Sequence, residues 1–127
     1  MKQKATITGL GSHTPEKKIS NDYFVNLGLD TSNEWIENRT GISNRFYIND
    51  DESSIDLAYN ASLRALEDAK ITAKEIDLII VATTTPDYLS FPSTACLLQK
   101  KLNTRSIMAF DLSAACSGFS YALNVAS

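Results

Sequence analysis

The chain has 127 residues, 43% hydrophobic and 21% charged, a globular composition for one domain, able to bury roughly 65–70% of the surface its unfolded form would expose. No apolar run approaches the ~20 residues of a membrane span, and the start, MKQKATITGLG, has too short and too Thr-rich an apolar stretch for a secretory signal, so the cytoplasm is the expected location. A net charge of −3 without a basic block argues against nucleic acid as the main partner, and two cysteines without C-x-x-C spacing give neither a zinc site nor a disulfide framework.

The elements alternate between strand and helix. Residues 4–10 (KATITGL) read as a strand, followed by a loop from Gly11 to Lys18. A short helix is expected from Asn21 to Leu27, with Ser20 as N-cap and Gly28 as C-cap. Thr31-x-x-Glu34 reads as a capping box opening a helix that runs through Trp35 and Arg39 and is closed by Gly41. Ser53-x-x-Asp56 opens a third helix, whose Ala58, Ala61, Ala65 and Ala69 allow a neighbour to approach closely. Residues 77–84 (DLIIVATT) form a continuous apolar run with β-branched residues, expected of a central parallel strand buried on both faces. Pro92 is placed as the first helical residue of a helix reaching Leu102, and residues 107–112 (IMAFDL) as another buried strand. This order predicts an α/β layered domain.

The last stretch carries the chemistry. Ala114-Ala115-Cys116-Ser117-Gly118 has a candidate nucleophile with small residues two before and two after it, the steric demand of a sharp strand-to-helix turn. Such a turn places the thiol at a helix N-terminus, where unpaired N–H groups and the helix dipole favour a thiolate. Beyond it, Phe119, Ala122, Leu123 and Ala126 make one apolar helix stripe. The alternative is that Cys116 is a small buried hydrophobe, as free cysteines often are. Trp35 and Arg39, at i and i+4, share a helix face suited to a flat anionic ligand; the alternative is a partly buried Trp packed under an Arg stem.

Together, "SNEWIENRTGISNRF" (32–46), "FPSTAC" (91–96) and "DLSAACSGFSYAL" (111–123) resemble β-ketoacyl-acyl carrier protein synthase III, the condensing enzyme that starts type II fatty-acid synthesis. The resemblance implies a thiolase-like layered αβαβα fold with a mixed sheet flanked by helices. Residues 1–127 would be its N-terminal half, with the C-terminal half absent. It implies that Cys116 is the acylated nucleophile and that acyl-CoA, with acetyl-CoA the expected donor, and malonyl-acyl carrier protein are the substrates of a decarboxylative Claisen condensation. The His and Asn that support decarboxylation would lie in the absent half, leaving the fragment inactive by itself. By the same resemblance Trp35 and Arg39 sit at the mouth of the coenzyme A tunnel with Thr31 near the adenine, and Phe91 reaches across a homodimer interface into the partner's acyl pocket. No cofactor or metal is implied.

Other signals point nowhere. His13 matches no catalytic motif and reads as a loop residue. Gly9-Leu-Gly11 starts like a dinucleotide fingerprint, but Thr14 replaces the third glycine and Pro15 interrupts the required helix. Asp50-Asp51-Glu52 reads as a solvated run before a helix. Two other functional classes stay open: another thiolase-fold acyl-CoA enzyme, such as a hydroxymethylglutaryl-CoA synthase or a polyketide starter synthase, and a noncatalytic half-domain that dimerises or binds a carrier protein. The "WIENRTGI" run (35–42) favours the synthase III reading; length favours the half-domain.

Overall fold

The computed structural model describes residues 5–127. They form two compact units, one of Thr14–Glu52 and one of the described residues up to His13 together with Ser53–Ser127.

The smaller unit is built on a hairpin-like pair the sequence does not announce. Strands β1 (Lys17–Ser20) and β2 (Asn44–Tyr47) pair antiparallel, Lys17 opposite Tyr47 and Ser20 opposite Asn44. Between them lie helices α1 (Asp22–Asn26) and α2 (Asn33–Thr40). Helix α1 begins one residue later than expected: Asn21, not Ser20, is the N-cap, and its side chain makes no capping bond because it is used elsewhere. The expected Thr31–Glu34 box is also displaced. Ser32 has the extended backbone an N-cap needs, and its Oγ accepts from the Trp35 N–H at 3.1 Å. Gly41 closes α2 with a left-handed φ of 69°, where a side chain would be strained.

In the larger unit, helix α3 (Ser54–Ala69) starts with the predicted capping box: the Asp56 N–H donates to Ser53 Oγ at 3.3 Å and the Ser53 N–H donates to Asp56 Oδ2 at 2.9 Å. Strand β3 (Leu78–Ala82), helix α4 (Thr94–Leu102) and strand β4 (Met108–Leu112) form a parallel β–α–β unit in which Ile79 faces Ala109 and Val81 faces Asp111. Helix α5 (Gly118–Ala126) ends the chain. The core is centred on Ile79, Ala95 and Leu98, with Ala58, Tyr59, Ile76 and Val81 packed around it.

Three expectations need correction here. Residues 5–10 are not a strand: no ladder partner pairs with them among the described residues, and Ile7 and Leu10 are exposed; Lys4 lies outside the described residues. This segment lies instead along α3. A Cβ on Gly9 would stand 2.5 Å from the Ala65 carbonyl oxygen, and one on Gly11 would overlap the Ala61 backbone. The two glycines thus serve close backbone approach to the alanine ridge. Strand β3 is parallel as expected but not buried on both faces; only Ile79 is buried, because β4 is its sole partner among the described residues. Pro92 precedes the N-cap of α4, which is Ser93, so it is not helical.

Candidate active site

Three helices of the larger unit begin in different ways, and the difference marks the site. At α3, the Ser54 and Ile55 N–H groups donate to the Asp87 carboxylate at 2.9 and 3.0 Å. At α4, the Thr94 and Ala95 N–H groups donate to the Asp111 carboxylate, both at 2.7 Å, and the Cys96 N–H donates to Ser93 Oγ at 3.2 Å. Both helix entrances are closed by an acid, as the orphan donors and the dipole favour. Helix α5 carries no side-chain cap at its N-cap Ser117. Cys116 immediately precedes that residue.

The backbone explains how the thiol gets there. Strand β4 ends at Leu112, and a 3₁₀ turn over Ala115–Ser117 redirects the chain into α5. The strain sits at Ala115, whose φ is 44°, a left-handed conformation that a non-glycine residue adopts only when its surroundings enforce it. Gly118 is buried, and a Cβ on it would stand 3.3 Å from Ala82 Cβ, so the small residue after the cysteine lets α5 sit against the end of β3. Cys116 is exposed among the described residues. It lines an open cleft of about 530 Å³ with Ala82, Thr83, Leu112, Ala114 and Phe119. A thiol in reach of solvent at the start of a helix can act as a nucleophile toward a polarised carbonyl; the Ser117 and Gly118 N–H groups that follow it donate to the Ala114 and Ala115 carbonyls.

Cys96, the other free thiol, is half-buried within α4 with its Sγ 3.5 Å from the Ala109 carbonyl oxygen. His13 stands 3.5 Å from Asn60 on α3 and does not line the Cys116 cleft. Phe91 lies in the same unit, 85% exposed beside the 99% exposed Leu89, and does not line that cleft either.

Trp35 and Arg39 project from α2 in the smaller unit, where the Arg39 guanidinium lies 5.3 Å from the Trp35 ring centroid. Trp35 keeps 54% of its surface exposed. Thr31 and Trp35 line one shallow cleft with Phe24, Leu29, Ile36 and Arg45. Thr31 Oγ1 and Arg45 Nη1 are buried without a hydrogen-bond partner among the described residues. Arg45 was not singled out from sequence, because its role comes from β2 pairing across the unit. Asp111 was also missed, although an acid inside an apolar run should prompt a search for its partner.

Parallel strands flanked by helices, with a thiol at a strand-to-helix joint, define the class: a thiolase-fold protein. Comparison with solved structures agrees, giving a TM-score of 0.86 and 45% identity to the crystal structure of 3-oxoacyl-[acyl-carrier-protein] synthase III from Aquifex aeolicus, over 94% of this chain and 38% of that one. Among curated proteins, β-ketoacyl-[acyl-carrier-protein] synthase III of Xanthomonas campestris is 58% identical over 120 residues, which is 94% of this chain and 36% of that protein. The synthase III of Helicobacter pylori is 49% identical over 122 residues. No family model matches. The chain is thus a relative of the β-ketoacyl-[acyl-carrier-protein] synthases III along nearly its whole length, and it spans about 36% of theirs.

Proposed function

We propose that this chain is the N-terminal, cysteine-bearing part of a synthase III type acyltransferase, with Cys116 as its nucleophile. The observation that carries the reading is the exposed thiol at the entrance of α5, the one α-helix of the larger unit that no side chain caps among the described residues. In the reaction, the Cys116 thiolate attacks the carbonyl carbon of an acyl-CoA, the carbon–sulfur bond to coenzyme A breaks, and coenzyme A leaves as its thiolate. Malonyl-acyl carrier protein then loses CO₂, keeping the electron pair on its α-carbon. That carbanion attacks the acyl-cysteine carbonyl, releasing 3-ketoacyl-carrier protein and the Cys116 thiolate. The positive end of the α5 dipole beside Cys116 suits the oxyanion that forms at the carbonyl in each attack. The groups that support decarboxylation are assigned to the part of the protein that this chain does not span.

Trp35, Arg39 and Thr31 are assigned to coenzyme A. An indole with a guanidinium above it suits a flat, anionic nucleotide, and the unpartnered Thr31 and Arg45 groups suit a ligand that brings its own acceptors. Phe91, exposed on its loop, is assigned to a homodimer interface. The protein is read as cytoplasmic; no helix among the described residues is long and apolar enough to cross a membrane.

Incubating the natural full-length protein with acetyl-CoA and digesting it should yield the Cys116 peptide carrying one acetyl group, and Cys116→Ser should abolish the adduct. Acetylation at Cys96, or none, overturns the assignment. A second reading has one observation behind it: a priming β-ketosynthase of a polyketide pathway matches with a TM-score of 0.86 and 38% identity. The two readings separate when the acetylated protein is offered malonyl groups on fatty-acid and on polyketide carrier proteins.

A further inference from the structure

Helix α2 carries Trp35 and Arg39, yet it has no buried residue. Apolar packing therefore does little to fix where that face points, and the structure shows what does. Asn21 is fully buried, the largest side chain in that state among the described residues. Its Nδ2 donates to Asn33 Oδ1 at 2.9 Å and to the Ile42 carbonyl at 2.8 Å. Asn33 is the first residue of α2, and Ile42 directly follows the glycine that closes it. One side chain thus holds both ends of the helix. Asn21 Oδ1 in turn accepts from Arg45 Nη2 at 2.7 Å, and the Arg45 guanidinium lies 4.6 Å from the Phe24 ring centroid. Asn21 Oδ1, the acceptor that a cap would need, is committed to Arg45, which explains why this N-cap residue leaves α1 uncapped.

We propose that Asn21 is a positioning residue for the nucleotide-binding face of α2, acting through Asn33, Ile42 and Arg45 without touching the ligand. The inference rests on the assignment of Trp35 and Arg39 to coenzyme A and extends it to the residue that orients them. A buried amide with its donors and acceptor matched has one acceptable geometry, since any tilt of α2 leaves a desolvated polar group unpaired. A helix held by apolar contacts could slide by comparison.

The test is steady-state kinetics on the natural full-length protein. A merely structural defect lowers the folded fraction, which reduces apparent kcat and leaves KM for acyl-CoA alone; a positioning defect raises KM. Asn21→Ala should raise that KM about tenfold at near-parental kcat, the size expected for losing two or three modest bonds. Both Asn33 variants lose the long, exposed bond from Asn33 Nδ2 to Glu37 Oε2; Asn33→Leu should raise KM about threefold, while Asn33→Asp, which keeps an acceptor for Asn21, should stay within about twofold of the parent. This ordering excludes a charge effect, which would make the aspartate the worse variant toward an anionic ligand. Parental KM in a folded Asn21→Ala protein, or loss confined to kcat, overturns the proposal. If Asn21→Ala does not fold, the Asn33 pair decides alone, and equal KM values for leucine and aspartate overturn it. Trp35→Ala run alongside tells the two readings apart: an unchanged KM there strikes the coenzyme A assignment itself, whereas a raised KM with silent Asn21 and Asn33 variants strikes only the positioning role.

Discussion

Cys96 and Cys116 are the same side chain in two settings, and the settings predict different chemistry. A thiol half-buried in a helix against a carbonyl has restricted access, whereas one exposed at an open helix entrance can meet a reagent. A brief iodoacetamide pulse at neutral pH should label Cys116 first, as read by peptide mass mapping; preferential labelling of Cys96 would reverse the assignment. Asp111, in the strand that leads into the Cys116 turn, holds the start of α4. Removing its carboxylate in Asp111→Ala leaves the Thr94 and Ala95 N–H groups without their partner at a buried helix start, a loss of about 3 kcal/mol in unfolding free energy. Urea denaturation measures it, and a change under about 0.5 kcal/mol would show that water replaces the acid.

At the scale of elements, α2 and α3 make separate predictions. Trp35→Ala and Arg39→Ala remove exposed side chains from a helix face that buries nothing, so they should raise KM for acyl-CoA while the thermal midpoint stays near parental. In α3, the Lys101 ammonium, and then the Ser53 hydroxyl, hold the Asp56 carboxyl down from 3.8 to about 2. A carboxyl more acidic when folded contributes stability that is present above its unfolded value and is lost as pH falls toward its folded value. The difference in thermal midpoint between the parent and Asp56→Asn should therefore be largest above about pH 5 and shrink toward pH 2. A constant difference across that range would mean that the box acts without its charge.

The same elements show what a sequence exposes to reading and what it hides. The starts of α3 and α5 and the core strands β3 and β4 were legible, because caps, small residues at a turn and apolar runs are local signals. Strands β1 and β2 were not. Four residues such as KKIS or NRFY carry no period, and they become strands only by pairing with each other across the intervening helices. Residues 5–10 failed in the opposite sense: the β-rich composition was there, but a strand exists only with a ladder partner. At the candidate site, Cys116 and Trp35 were visible as residue types in suggestive positions. Asn21 and Arg45 were not, since their meaning is a set of distances between segments.

For the molecule as a whole, the apolar surface is the decisive feature. On α5, Phe119, Tyr121, Leu123 and Val125 are all exposed, so the expected stripe of Phe119 and Leu123 faces no cover among the described residues. The 127-residue chain should accordingly self-associate and bind an apolar dye such as ANS. Sedimentation as a monomer that binds no dye would refute this. Asp111 adds a consequence in time. Because it belongs to the strand that leads into the Cys116 turn and also holds the first amides of α4, any fluctuation that lifts β4 must release those amides, 17 and 16 residues away in sequence. Exchange of the Thr94 and Ala95 amide protons with solvent should then track how often β4 is open, and a modification of Cys116 that loosens or tightens the turn should be readable there as faster or slower exchange.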